Sequence, residues 1–228
     1  MRIAIVQSNY LPWKGYFDLI RSVDEFVLFD DAQYTRRDWR NRNRIKTAQG
    51  PAWLTIPVQA SGHYLSAIKD IEVSDRAWAV RHWRTLSSHY AKAPYFRDYA
   101  ERFERLFLDT TETRLSLINR RWLEALCAML SIPTRFSWSM DYSASAGQSE
   151  RLVGICQQAG AGTYVSGPSA RAYLQAEVFD RAGIAVQYFD YAGYREYPQL
   201  FPPFEHHVSV VDLIFNTGPH ASDYLDRG

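Results

Sequence analysis

Apolar and polar positions alternate between two rhythms along the chain. RIAIVQ (2–7) is almost wholly apolar until Gln7, and EFVLFD (25–30) is apolar until it ends on acids. Short apolar runs of this kind predict strands buried on both faces, as in a parallel sheet. Between them, YFDLIRSV (16–23) places Phe17 and Ile20 on one side of a helix. Strand, loop, helix and strand in this order predict a βαβ opening with a right-handed crossover. PAWLTIPV (51–58), IKDIEVS (68–74), PTRFSWSM (133–140), TYVSG (163–167) and IAVQYFDY (184–191) predict further strands.

From Asp75 to about Leu130 the apolar residues recur at intervals of three and four, which predicts three helices. Pro94 separates the first two, and Thr111 or Thr113 is a candidate cap for the third. Residues 145–161 read as a Ser-capped helix closed by glycines, with Ser169 as a further candidate cap. Helices are also expected over 169–183 and over 208–218, the latter ended by Gly218. YREYPQLFPPFEHH (194–207) is a proline-broken loop. The expected fold is α/β, a mostly parallel Rossmann-like sheet of about five or six strands. It would form one domain over 1–228, with a helical insertion over 75–130.

Charge sharpens this picture locally. Lys plus Arg total 26 against 25 acids, so the chain as a whole is neither a nucleic-acid coat nor a membrane-surface binder. The positive charge gathers in DDAQYTRRDWRNRNRIK (30–46), which points to a site for an anion. Cys127 and Cys156 sit in apolar, helix-like stretches and read as buried thiols of a reducing compartment. The chain offers no apolar run near the ~20 residues of a membrane span and no signal-peptide pattern at its start. A cytoplasmic enzyme or binding protein is expected. Aromatic content of 15% includes 7 Trp and 15 Tyr, residue types suited to ligand clefts as well as to cores.

In open parallel sheets ligands bind beyond the carboxyl ends of the strands. Four loops occupy such positions: Gln7 to Gly15, Asp30 to Lys46, Ser166 to Ser169, and Asp190 to His207. In the first, Asn9, Tyr10, Trp13, Gly15 and Tyr16 are candidate binding residues. Trp13-Lys14-Gly15-Tyr16 falls, by spacing, on the His-x-Gly-His turn of nucleotidyltransferases, but both histidines are replaced. The glycine agrees with that fold; the replacements argue against its adenylation chemistry, and a plain helix-entry turn is the alternative.

In the second loop, Asp30 and Asp31 end a strand, where carboxylates serve as general bases or simply cap turns. Gln33, Tyr34, Arg37, Trp39, Arg40, Asn41, Arg42, Asn43, Arg44 and Lys46 are candidate binders of a phosphate or carboxylate. If extended, this stretch turns Arg40, Arg42 and Arg44 to one face and Asn41 and Asn43 to the other. An anion would relieve the mutual repulsion; a solvated face neutralised by acids is the alternative. Ser166 and Gly167 precede a helix and offer an anion pocket or a plain cap. His206 and His207 are candidate bases, and Asn216 on the last helix is a candidate binder. His82 and His89 share a helical face with Trp83 and read as packing residues; no histidine pair has metal-ligand spacing, so no metal is implied.

Taken in order, QSNYLPWKGYFDLI, FVLFDDAQYTRRDWRNRNRIK, WLTIPV, HWRTLSSHYAKAPYF, YVSGPSARAYL and YPQLFPPFEHHVSVVDLIFNTG resemble the WbqC-like family nearly end to end. Ser8 stands where that family usually shows proline. Members occur beside bacterial genes for O-antigen and other surface polysaccharides. The resemblance implies a transferase modifying a nucleotide-linked amino sugar by aminoacyl or acyl transfer. It supplies no catalytic residue. The expected partners are an anionic nucleotide sugar and a thioester donor on CoA or a carrier protein, with no membrane. Near-neutral net charge argues against nucleic acid. An ATP-dependent ligase and a non-catalytic scaffold protein of the same pathway are the alternative readings.

Overall fold

A computed structural model of the chain describes residues 1–59, 65–143 and 147–227; His63 lies outside them. Five strands form one parallel sheet: β1 (Arg2–Val6), β2 (Glu25–Leu28), and further along the chain Arg135–Trp138, Thr163–Ser166 and Ala185–Tyr188. Two others, β3 (Arg42–Thr47) and β4 (Gly50–Thr55), pair only with each other as an antiparallel hairpin. The last three sheet strands are therefore β5, β6 and β7, and the order across the sheet is β5-β2-β1-β6-β7. The chain first builds outward from β1 through β2 to β5, then returns to the other side of β1 for β6 and β7. The order thus reverses between β1 and β6, and the loops leaving those two strands diverge to open a crevice there.

Both faces of the sheet are buried at its central strands, which explains the apolar runs of β1 and β2, whereas the edge strands β5 and β7 are partly exposed. Successive strand residues point to opposite faces. Ala4, Phe26 and Leu28 join one core, while Ile3, Ile5 and Val27 join the other. The first core is covered by α1 (Lys14–Arg21), α2 (Trp78–Tyr90), α3 (Phe96–Leu108), α4 (Leu115–Met129) and, late in the chain, Val210–Thr217. The second is covered by α5 (Gln148–Gln158) and α6 (Ala176–Arg181), which makes the last helix α7. No helix among the described residues is long and apolar enough to cross a membrane.

Several local expectations change. IKDIEVS is no strand: Ile68–Asp70 is a 3₁₀ turn, followed by the isolated bridges Glu72 to Arg114 and Val58 to Val73. Ile68, Ile71 and Val73 are buried at irregular spacing, an apolar pattern that sequence alone does not distinguish from a strand. The helix expected over 169–183 is divided into the 3₁₀ segment Pro168–Ala172 and α6, so Ser169 caps no α-helix. Neither Thr111 nor Thr113 caps α4, which begins after Arg114; the Thr113 carbonyl instead accepts from Val73 N–H. Gly147 precedes α5 with a left-handed φ of 93°, where a serine cap was expected. Gly218 does end α7, at φ 55°, where a Cβ would lie 2.4 Å from the Tyr95 ring. Cys127 and Cys156 are both free and buried.

Candidate functional site

The four loops named from the sequence meet at the carboxyl end of the sheet. A cavity of about 610 Å³ is lined there by Gln7, Asn9, Trp13, Arg40, Ser166, Gly167 and Tyr191, among others. A smaller cavity of about 240 Å³ is lined by Asn9, Pro12, Trp13, Trp39, Asn43, Arg44 and His207. Asn9, Trp13 and Trp39 line both, so the two chambers share a wall.

Trp13 is held by a short-range device. Its indole folds back over Gly15 so closely that a Cβ at Gly15 would stand 2.4 Å from the ring. The same ring lies 5.3 Å from His207, 5.6 Å from Tyr191 and 5.6 Å from Tyr194, centre to centre. Tyr16 lines the large chamber and donates from its hydroxyl to the Gln7 carbonyl at 2.9 Å. Lys14, between them, turns the other way. Its ammonium group donates to the Arg195 carbonyl at 2.7 Å among the rings of Tyr194, Tyr197 and Phe204. Burial, reinforced by nearby Arg195, pushes this amine down to about 8.

The arginines of the second loop take three different environments. Arg40 points inward and donates to the Gln7 and Ser8 carbonyls at 3.0 and 3.3 Å, 3.6 Å from the Asp38 carboxylate. Arg42 lays its guanidinium 4.2 Å from the centre of the Trp53 ring and donates to the Arg37 carbonyl. Arg44, paired across the hairpin with Trp53, lines the small chamber. Among the described residues no carboxylate lies within ion-pair distance of Arg42 or Arg44, and the Nε of each is buried without a hydrogen-bond partner. The extended strand does alternate as expected, with Asn41 and Asn43 buried. Asn41 donates to the Ile56 carbonyl and Asn43 to the Tyr10 carbonyl.

Other candidates are structural in their contacts. Asp30 is fully buried and lines neither chamber; burial raises its carboxyl pKa, against hydrogen bonds from Ser8 and the charge of Arg40. Asp31 is ion-paired with Arg151 and accepts from Ser139 Oγ at 2.6 Å. Tyr10 is buried against His82, and Tyr34 is buried beside the loop. Lys46 donates to the Pro203 carbonyl, and Asn216 bridges Leu200 N–H and the Asp212 carbonyl. Gln33 and Arg37 are exposed, and His206 packs edge-on against Phe204. Of the proposed bases, His207 alone lines a chamber. Its Nδ1 stands 3.6 Å from Glu205 Oε1, which also accepts from the His207 backbone N–H at 2.9 Å. Burial and nearby Lys14 depress His206.

Sequence reasoning missed Trp53, Tyr164, Gln148 and Tyr191. Trp53 carried a signal: it is an outward-facing tryptophan on an alternating strand. Tyr191 lies in the fourth named loop but was not singled out there, and Tyr164 and Gln148 become neighbours only through the sheet order. Among the described residues no three His, Cys, Asp or Glu side chains gather as metal ligands would.

Comparison with known proteins adds the following. A protein of Mycobacterium tuberculosis (strain ATCC 25618 / H37Rv), "Uncharacterized protein Rv1507c", is 52% identical over 224 residues, covering 98% of this chain and 97% of its own. No solved structure matches the chain. Residues 7–224 match the WbqC-like protein family, so every loop around the two chambers lies inside the match. The chain belongs to the WbqC-like protein family.

Proposed function

We propose that the protein is a transferase that moves an acyl or aminoacyl group from a thioester to the amine of a nucleotide-linked amino sugar. The observation that carries this reading is the pair of chambers joined at Asn9, Trp13 and Trp39, with His207 on the wall. The strand order reverses between β1 and β6, and a ligand site in the crevice that this opens supports the same reading. Two chambers with a common boundary suit two substrates whose reacting atoms must meet.

The step needs a base and a place for negative charge. The sugar amine attacks the thioester carbonyl; an N–C bond forms, the C–S bond breaks, and the thiolate leaves. His207 takes the proton from the amine nitrogen and returns it to the leaving sulfur. Glu205, 3.6 Å away, orients the imidazole. Arg44 on the same wall supplies positive charge for the phosphates of the nucleotide-linked substrate. Asn9 Oδ1, buried without a partner, offers an acceptor for an amine or hydroxyl hydrogen. Asp31, already bound to Arg151, is poorly placed as the base.

The ligase reading is less favoured. Trp13 and Tyr16 present rings where a nucleotidyltransferase turn presents phosphate ligands, and Lys14 is engaged by the Arg195 carbonyl. Thermal-shift screening separates the two, because a ligand binding the native state raises its melting temperature with concentration. A shift with nucleotide-linked amino sugars and with acyl thioesters is expected. A shift with ATP alone would favour the ligase.

A further inference from the structure

The two chambers differ in charge. Among the described residues the large one is lined by one cation, Arg40, whose Nε has no partner but whose NH1 already donates to the Gln7 and Ser8 carbonyls. The rest of its wall is mostly apolar or aromatic, including Val6, Phe29, Leu152 and Tyr164. The small one contains Arg44, whose guanidinium donates no hydrogen bond to a described residue and has no carboxylate within ion-pair distance among them, though its charge reaches Glu205. A phosphate therefore gains more in the small chamber, since Arg40 would have to give up bonds it already makes.

The small chamber also ends a row of aromatic contacts, in which the Trp53 and Trp39 rings are tilted 37° to each other. Arg42 lies 4.2 Å over Trp53, and Trp53 lies 5.4 Å from Trp39, centre to centre. Trp39 in turn lines both chambers. Trp39 is 40% and Trp53 46% exposed, a poor arrangement for two large rings unless a flat group covers them. The area is small and opens into a cavity of about 240 Å³, which fits a small molecule rather than a protein surface.

Resting on the transferase reading, we infer that the small chamber and the Arg42–Trp53–Trp39 row hold the nucleotide end of the sugar substrate. The base extends the row beyond Trp39 and the phosphates lie on Arg44. The sugar then points toward Trp13 and His207, and the large chamber at the sheet reversal is left for the acyl donor. The division runs against the usual habit of doubly wound sheets, in which the nucleotide takes the reversal point.

The test is calorimetric titration of the full chain with UDP and ADP, with inorganic pyrophosphate and with the corresponding nucleosides. Arg44→Gln is expected to weaken nucleoside diphosphate and pyrophosphate by ~10-fold or more, and to leave nucleosides unchanged. Trp39→Leu is expected to weaken nucleoside diphosphate and nucleoside by ~10-fold, and pyrophosphate hardly at all. Ser169→Trp, which narrows the large chamber from an exposed position, should leave all three unchanged. Circular dichroism and melting of each variant confirm that it is folded. Loss of nucleotide binding in Ser169→Trp with none in the other two would overturn the assignment. So would tight binding of a single-stranded oligonucleotide with no binding of mononucleotides. If no nucleotide binds yet an amino sugar is acylated, the subsite is refuted and the transferase reading survives. The expected binding pattern without any transfer refutes the transferase reading alone.

Discussion

The carboxylate of Asp30 accepts two hydrogen bonds from one residue, Ser8: the backbone N–H at 2.8 Å and the hydroxyl at 2.7 Å. Asn119 on α4 donates to the same Ser8 Oγ at 2.9 Å and to the Arg40 carbonyl at 2.9 Å. The first two loops of the cleft are thereby fixed to each other and to the helices between β4 and β5. Asp30→Ala leaves buried donors without an acceptor, and should lower stability by about 2–4 kcal/mol in urea unfolding. Unchanged stability would contradict the anchoring role.

Gly15 and Trp13 should behave as one unit. Gly15→Ala forces the Trp13 ring from its seat, because the new Cβ would stand 2.4 Å from it. Ligand affinity should fall about tenfold. Trp13→Ala should cost about as much, and the double variant no more than either alone. Additive losses would show that Gly15 acts elsewhere.

His82 makes stability depend on pH. Its Nε2 donates to the Thr55 carbonyl, so in the neutral ring Nδ1 accepts from the Tyr10 hydroxyl. Burial pushes the imidazole down to about 4, whereas in the unfolded chain it titrates near 6.5. Between those values the unfolded state carries a proton that the native state refuses. Stability is thus fully present above pH ~6.5 and falls toward pH 4, by up to about 1.4 kcal/mol per pH unit from this group. His82→Gln should flatten that part of the stability profile; an identical slope in both proteins would contradict the assignment.

The two thiols should be inert in the native protein. Burial pushes both Cys127 and Cys156 up to about 12, so almost no thiolate exists at pH 8. A disulfide reagent should label neither until urea unfolds the chain. Rapid labelling of the folded protein would contradict their burial.

The centre of the sheet was legible in the sequence because its strands are largely apolar runs with polar residues at the carboxyl end, as at Val6-Gln7 and Val165-Ser166, whereas the edge strands β5 and β7 are mixed. The clustering of loops at that end follows from parallel strands. The hairpin was not legible: PAWLTIPV has the composition of a sheet strand, and nothing in its residues marks that it pairs with β3 alone. The roles of Asp30 and Asp31 were hidden for a different reason. Their partners, Ser8, Ser139 and Arg151, are brought in from across the chain. Position at a strand end identifies a carboxylate as near a site; it does not tell whether the group faces the ligand or the scaffold.

Transfer itself is the most direct measurement of the account. The purified chain is incubated with a panel of nucleotide-linked amino sugars and acyl or aminoacyl thioesters, and products are followed by mass spectrometry. The account predicts a sugar nucleotide heavier by one acyl group and release of free thiol, with turnover about 10²–10⁴-fold lower in folded His207→Ala. Acylation at an undiminished rate in that variant, or an amino-sugar panel left unmodified while ATP is cleaved, would contradict it.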